Sequence, residues 1–231
     1  MAPSIVDAVL RAPLEIFSVA QHRTYVPFLA SSALLAAWVW RTSGSRPRSL
    51  VSFMFPWRLW RSRSSRLDIQ LLLGNAVVRV VVFAPVVVSA MTVLLAVAGT
   101  LTRWLGPPEP TTLPHWCVVG GFTLALFVAD DLTRYLVHRA MHAIPALWAI
   151  HKIHHSAEVL TPLTLYRVHP LESFIMATRH AVTLGLVSAL CYYVWPGRIT
   201  QWELVGVNAL SVGFSAIGSN LRHSHVWLSF G

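Results

Sequence analysis

The stretch His138-Arg139-Ala140-Met141-His142, followed by His151-Lys152-Ile153-His154-His155, decides how this chain is read. Five of its eleven histidines fall within these eighteen residues. On a helix, residues four apart project from one face, so His138 and His142 form a pair, and His151, His154 and His155 repeat the geometry at i, i+3 and i+4. A neutral imidazole is the commonest nitrogen ligand for iron, zinc and copper, and two such clusters can supply five ligands to one cavity. A single H-x-x-x-H arises by chance in many apolar helices. Two boxes separated by only eight residues and flanked by apolar stretches point to a metal site at a membrane surface.

The composition fits that setting. Hydrophobic residues make up 55% of the 231-residue chain and charged residues 12%, against about 25% charged in soluble domains. This length allows one domain, and in lipid a handful of spans. The two cysteines, Cys117 and Cys191, lie in apolar stretches and read as small buried hydrophobes, with no disulfide expected. No internal repeat, low-complexity tract or sustained strand-like alternation occurs, so the expected fold class is all-α, a polytopic transmembrane helical bundle.

Outward from the histidines, residues 1–24 lack a signal-type apolar core and read as an interfacial N-terminal segment, with His22 a polar interfacial residue. Residues 25–115 read as an N-terminal transmembrane region. Its first span runs from Tyr25 to Trp40, with Trp38 and Trp40 suited to an interfacial belt. Seven arginines follow within 41–66 (Arg41, Arg46, Arg48, Arg58, Arg61, Arg63 and Arg66), and the one nearby acid, Asp68, lies just past them. Between two apolar spans such a run reads as a cytoplasmic anchor for anionic headgroups rather than a nucleic-acid site. From Leu71 to Leu101 the chain is apolar apart from Asn75 and Arg79, with Val80 to Ala98 as its core and a kink expected at Pro85.

A single tilted span there, a linker at Gly106-Pro107-Pro108-Glu109-Pro110 and a returning span from Trp116 to Val137 bring both histidine boxes to the arginine-rich, cytoplasmic side. A short hairpin would put them on the opposite side. A further pair of spans, Ala181 to Trp195 and Ile199 to Asn220, turns at Pro196-Gly197 and returns His223 and His225 to the same side.

Ionisable groups near span ends are costly in lipid and need partners. Asp131, Tyr135, His138 and His142 form an i, i+4, i+7, i+11 stripe, so Asp131 is expected to accept from a ligand histidine and orient it. Asp130 is read as an ion-pair partner of Arg134 or Arg139. Glu172, one turn after His169, invites the same orienting role as Asp131, or a pairing with Arg167 or Arg139. His115 and His180 stand alone and read as polar interfacial residues.

The motifs Asp131-Leu-Thr-Arg-Tyr-Leu-Val-His138-Arg-Ala-Met-His142, His151-Lys-Ile-His154-His155-Ser156 and Arg167-Val-His169-Pro170-Leu-Glu172 resemble, in order and spacing, the fatty acid hydroxylase/sterol desaturase superfamily. The resemblance covers about residues 120 to 231, within an expected hydroxylase-like domain at 116–231. Asn220-Leu-Arg-His223-Ser224-His225 is similar to the family's His-Ser-Asn element, with His225 in the place of Asn. The family's last H-x-x-H-H box has no counterpart in residues 1–231, so the domain is expected to be C-terminally incomplete.

The resemblance implies an integral-membrane, multi-pass, non-haem di-iron oxygenase of lipid biosynthesis, with its histidine site on the cytoplasmic side. It would hydroxylate or desaturate a fatty acyl, sterol or related lipid. The implied ligands are His138, His142, His151, His154, His155, His223 and His225, with His169 a further ligand or orienting group, and no catalytic residue beyond them. The partners implied are the membrane lipid, O2 and a cytochrome b5-like or ferredoxin-type carrier fed by NAD(P)H, and no nucleic acid. A separate carrier is needed because the chain has no Gly-rich nucleotide fingerprint and no cysteine cluster. The alternative expectation is a truncated or degenerate member acting as a non-catalytic lipid-binding or regulatory membrane protein.

Overall fold

The structure, a computed structural model, describes residues 25–42, 49–83, 89–159 and 161–200, together with Asp7, Arg11 and Leu14. Among the described residues there are helices and turns and no strand. They form two compact units, one of 25–83 with 148–172 and the other of 89–147 with 173–200. His22, Arg46, Arg48, Pro85, His223, His225 and the span expected from Ile199 to Asn220 lie outside the described residues, apart from 199 and 200 at the span's start.

In the first unit, α1 (Val26–Thr42) buries Phe28, Ser32 and Ala36, a one-turn repeat that makes a single inward stripe. Two short helices follow, α2 (Leu50–Met54) and α3 (Trp57–Trp60). Ser49 accepts from the Ser52 amide at the start of α2, and Ser62 from the Ser65 amide at the start of α4 (Arg63–Val78). These are N-caps that satisfy orphan amides of a first turn. The inward face of α4 is unusual, since it buries Ser64, Ser65, Asp68 and Ala76. Small and polar groups on that face need polar partners, and α4 meets them in the 3-10 turn Pro162–Tyr166 packed against it.

The span expected from Leu71 to Leu101 with a kink at Pro85 does not form one helix, since Ser89 within it is extended. After α4 the backbone widens into a π-helical turn, Arg79–Phe83, and a new helix α5 (Ala90–Leu105) begins at Ser89, which is extended and accepts from the Thr92 amide. Hydropathy cannot see this break, because Val and Ala continue on both sides of it while the deciding signal is one capping serine.

In the second unit, α6 runs over His115–Ala143 and α8 over Pro170–Val194, α8 having its first three residues in the first unit. Between them lies α7 (Pro145–His151). Phe122, Leu126 and Cys191 form the packed centre, flanked by Leu184, Val187, Trp195 and Ile199. Gly185 lets α8 approach α5 closely, since a Cβ there would stand 2.5 Å from Val93 Cβ and 2.6 Å from the Ala90 carbonyl. Cys117 and Cys191 are free thiols, Cys191 buried.

Helix α6 carries two apolar stripes. Val118, Phe122 and Leu126 are buried, whereas Leu124, Val128, Leu132 and Leu136 repeat every four residues and are each at least half exposed. On α8, Thr183 and Ser188 are buried and Leu186, Leu190 and Val194 face outward. Small and polar residues inside with leucine outside is the pattern of helices packed in lipid, where the outer face has no water to satisfy. Both helices are long and apolar enough to cross a membrane. The second extends well upstream of the expected Ala181, because Pro170 is preorganised to open a helix and the polar Arg179 and His180 are paired with Asp130 of α6.

Candidate metal centre

His138 and His142 occupy the last turns of α6, where the i, i+4 spacing makes them neighbours. Their Nε2 atoms lie 3.2 Å apart, with ring centroids at 4.8 Å. Both side chains are exposed. No tertiary contact is required to form this pair, since i and i+4 are neighbours on any α-helix.

The second cluster forms differently. Helix α7 ends at His151, and the chain then tightens into the 3-10 turn His154–Ser156, so the three histidines do not share one regular helix as expected. The tighter winding brings His155 Nε2 to 3.1 Å from His151 Nε2. His151 is fully buried, and its Nδ1–H donates to Glu172 Oε1 at 2.9 Å. That bond fixes the tautomer, so the neutral His151 ring carries its lone pair on Nε2, the atom turned toward His155. Trp148 packs against the His155 ring at 5.7 Å, and His154 stacks on His151 with centroids 5.7 Å apart.

Within each pair, His138 with His142 and His151 with His155, each residue has one ring nitrogen that can serve as a metal ligand. The spacing within each pair is itself informative. A cation bound about 2.1 Å from two neighbouring imidazole nitrogens holds them about 3.0–3.4 Å apart at right-angled to tetrahedral bond angles, and both observed separations fall in that interval. The donors are all imidazole, a set suited to Fe, Cu or Zn. Glu172 supplies the outer carboxylate such sites use, and its Oε2 is buried without a hydrogen-bond partner among the described residues.

Other expected site residues are placed differently. Asp131 is exposed and makes no hydrogen bond among the described residues; the carboxylate that orients a histidine is Glu172. Spacing along α6 put Asp131 on the histidine face, but a carboxylate 21 residues after His151 is brought to it only by tertiary folding. Glu172 pairs with His151 rather than with Arg167 or Arg139. His169 turns Nδ1 back to accept from the Leu171 amide at 3.1 Å, capping α8. Asp130 pairs with Arg134 at 2.6 Å, as expected, and also binds Arg179 and His180, each at 2.8 Å.

The residues sequence reasoning passed over are Asp68 and Arg167. They form a buried ion pair at 2.6 Å, with side-chain exposures of 0% and 2%. The available signal was Asp68 itself, a lone acid in an arginine-rich apolar stretch.

With this geometry in view, the comparisons with known proteins are specific. Residues 123–228 match the fatty acid hydroxylase family model. This match and the relatives below support the fatty acid hydroxylase/sterol desaturase superfamily. The chain is 28% identical over 122 residues to the very-long-chain aldehyde decarbonylase GL1-8 of Oryza sativa, covering 53% of this chain and 44% of that protein. It is 27% identical over 109 residues to methylsterol monooxygenase 2-1 of Arabidopsis thaliana, covering 47% and 38%. Methylsterol monooxygenase 1 of Rattus norvegicus is 26% identical over 89 residues, covering 38% and 30%. The matched segment therefore spans less than half the length of these superfamily relatives. No solved structure is a significant match.

Proposed function

We propose that this protein is a membrane-bound non-haem di-iron oxygenase that hydroxylates or desaturates a long-chain lipid with O2 and electrons from NAD(P)H. The observation that carries the reading is the double imidazole contact, His138 to His142 and His151 to His155, at the spacing of adjacent metal ligands. The relatives support a lipid substrate, since their names refer to very-long-chain aldehydes and methylsterols.

In this reading the two pairs serve one centre, with only eight residues between His142 and His151 in sequence. His154, His169, His223 and His225 are the further histidines that would complete the ligand set for two irons. Iron held there supplies the reduction of O2 that attack on an unactivated C–H bond requires. The chain's own residues do the positioning. Glu172 holds the Nδ1 proton of His151, keeps Nε2 available as a ligand atom and raises its basicity. Trp148 packs beside the His155 ring, with centroids 5.7 Å apart.

The electrons come through a cytochrome b5-like or ferredoxin-type carrier. The hydroxylase-like domain of 116–231 carries the chemistry, residues 25–115 anchor it, and residues 1–24 lie at the interface. The helices make a multi-pass bundle with the histidines and the arginine-rich segment 41–66 on the cytoplasmic side. Single cysteines at positions 61 and 152, on a background without Cys117 and Cys191, should label from the same side. Labelling from opposite sides would refute that orientation.

Activity is tested by lipid mass spectrometry of cells expressing the protein or its His142→Ala variant, with the carrier and iron supplied. An O2-dependent hydroxylated or desaturated lipid present only with the unaltered protein is expected. Identical lipid profiles, with iron bound, would favour a non-catalytic lipid-binding role.

A further inference from the structure

The buried Asp68–Arg167 pair is not absorbed by the reading above. Desolvating two charges costs several kcal/mol per ion, and the cost is offset only when every remaining hydrogen-bonding group is satisfied. Here the guanidinium is fully used. Its Nε donates to Asp68 Oδ1 at 2.6 Å, Nη2 to the Ser64 carbonyl and hydroxyl at 2.6 and 2.7 Å, and Nη1 to the Ser156 carbonyl at 3.0 Å with a longer contact to Ser156 Oγ. Asp68 Oδ2 accepts from the Thr164 hydroxyl at 2.9 Å. The planar fork of arginine therefore ties three pieces of chain together: α4, the 3-10 turn before Arg167, and the turn that carries His155.

The last tie is the consequential one. Ser156 directly follows His155, and the His154–Ser156 turn is short, with the Ser156 amide bonded to Ile153 O at 3.2 Å. A three-residue 3-10 turn has little rigidity of its own. His155 Nε2 must nevertheless stay 3.1 Å from that of His151. We propose that Arg167, held by Asp68, is a positioning residue for the second histidine pair, clamping the Ser156 carbonyl so that His155 stays aimed beside His151. Glu172 fixes the His151 ring from one side, and Arg167 fixes the backbone of its partner from the other. Lysine cannot substitute, since it offers three donors from a single point and cannot span Asp68, Ser64 and Ser156 in one plane.

The proposal rests on the metal-centre reading for its consequence but not for its geometry, and the test separates the two. Arg167→Lys, Asp68→Asn and Phe28→Ala are purified in detergent with the unaltered protein. Phe28 is buried on α1 and is not one of the partners of the guanidinium, so its variant loses stability without removing a bond of the clamp. Hydrogen exchange at the Ser156 and Ala157 amides and titration with Co(II) alone are measured for each.

Arg167→Lys should speed exchange at Ser156 and Ala157 while the helices stay protected, and weaken Co(II) binding by about 10–100-fold, the range for losing a ligand-orienting partner. Phe28→Ala should do neither. If Arg167→Lys does not fold, Asp68→Asn decides by the same two readouts. Unchanged exchange at Ser156, or an equal change in Phe28→Ala, overturns the proposal. If the unaltered protein binds no Co(II), the metal reading fails, and the exchange data alone still decide whether Arg167 holds the turn.

Discussion

The two histidine pairs are written alike in the sequence, each with members four residues apart, yet they are built by different physics. His138 and His142 sit on the exposed end of a 29-residue helix, where the i, i+4 spacing makes them neighbours with a 3.2 Å contact. His151 and His155 straddle a helix end and a 3-10 turn, and their 3.1 Å contact comes with a buried carboxylate on one ring and a buried guanidinium on the adjoining backbone. A pair on a long helix needs no tertiary support, whereas a pair across a helix terminus must be held by side chains distant in sequence. The first pair should therefore tolerate changes elsewhere in the chain, and the second should be sensitive to its surroundings.

Removing ligands gives the largest effect and the sharpest contrast. His138→Ala with His142→Ala, and separately His151→Ala with His155→Ala, should each abolish metal binding, read by elemental analysis. They should differ in stability. The first double variant loses two exposed side chains and should melt close to the unaltered protein. The second leaves Glu172 buried without its donor, a loss of about 1–3 kcal/mol visible in thermal unfolding. Equal melting temperatures would break the contrast.

Next in size is the orienting carboxylate. Glu172→Gln should weaken Co(II) binding by about 10–100-fold, while Asp131→Asn should leave it unchanged. The reverse order would return the orienting role to Asp131, where helical spacing alone had put it.

Packing in the second unit should matter to stability before it matters to ligands. Gly185→Ala sets a methyl against Val93 and the Ala90 carbonyl, both under 3 Å from the ideal Cβ, and should cost about 1–3 kcal/mol in detergent unfolding. Its effect on the exchange of the Ser156 amide should be nil.

The smallest effect belongs to His169. His169→Ala removes a cap from α8 at a cost of about 1 kcal/mol and should change Co(II) affinity less than His155→Ala does. A larger loss of affinity than for His155 would make His169 a principal ligand.

What the sequence made legible follows the same division. The helical class, the long helix bearing His138 and His142, and the membership in the superfamily could be read from periodicity, hydropathy and motif order, all of which are local. The break at Ser89 could not, because apolar composition continues across it and only a cap marks it. Nor could the partner of Glu172, which is 21 residues away from His151 and reaches it through the fold. The Asp68–Arg167 pair spans 99 residues, and neither member stands at a spacing that suggests the other. The Asp130–Arg134 pair was legible because it is local, whereas the further partners of Asp130, Arg179 and His180, reach it from α8. Adjacent residues on an α-helix point about 100° apart, and a helical wheel drawn for one helix does not contain the second helix.

The central claim is that both pairs are needed to hold iron in one centre, and iron content measures it most directly. Protein purified in detergent with ferrous iron supplied should carry about two irons per chain, as the proposed di-iron reading requires. The count should fall to near zero in His142→Ala and equally in His155→Ala. Folded protein without iron, or full iron retained when either histidine is removed, would contradict the account.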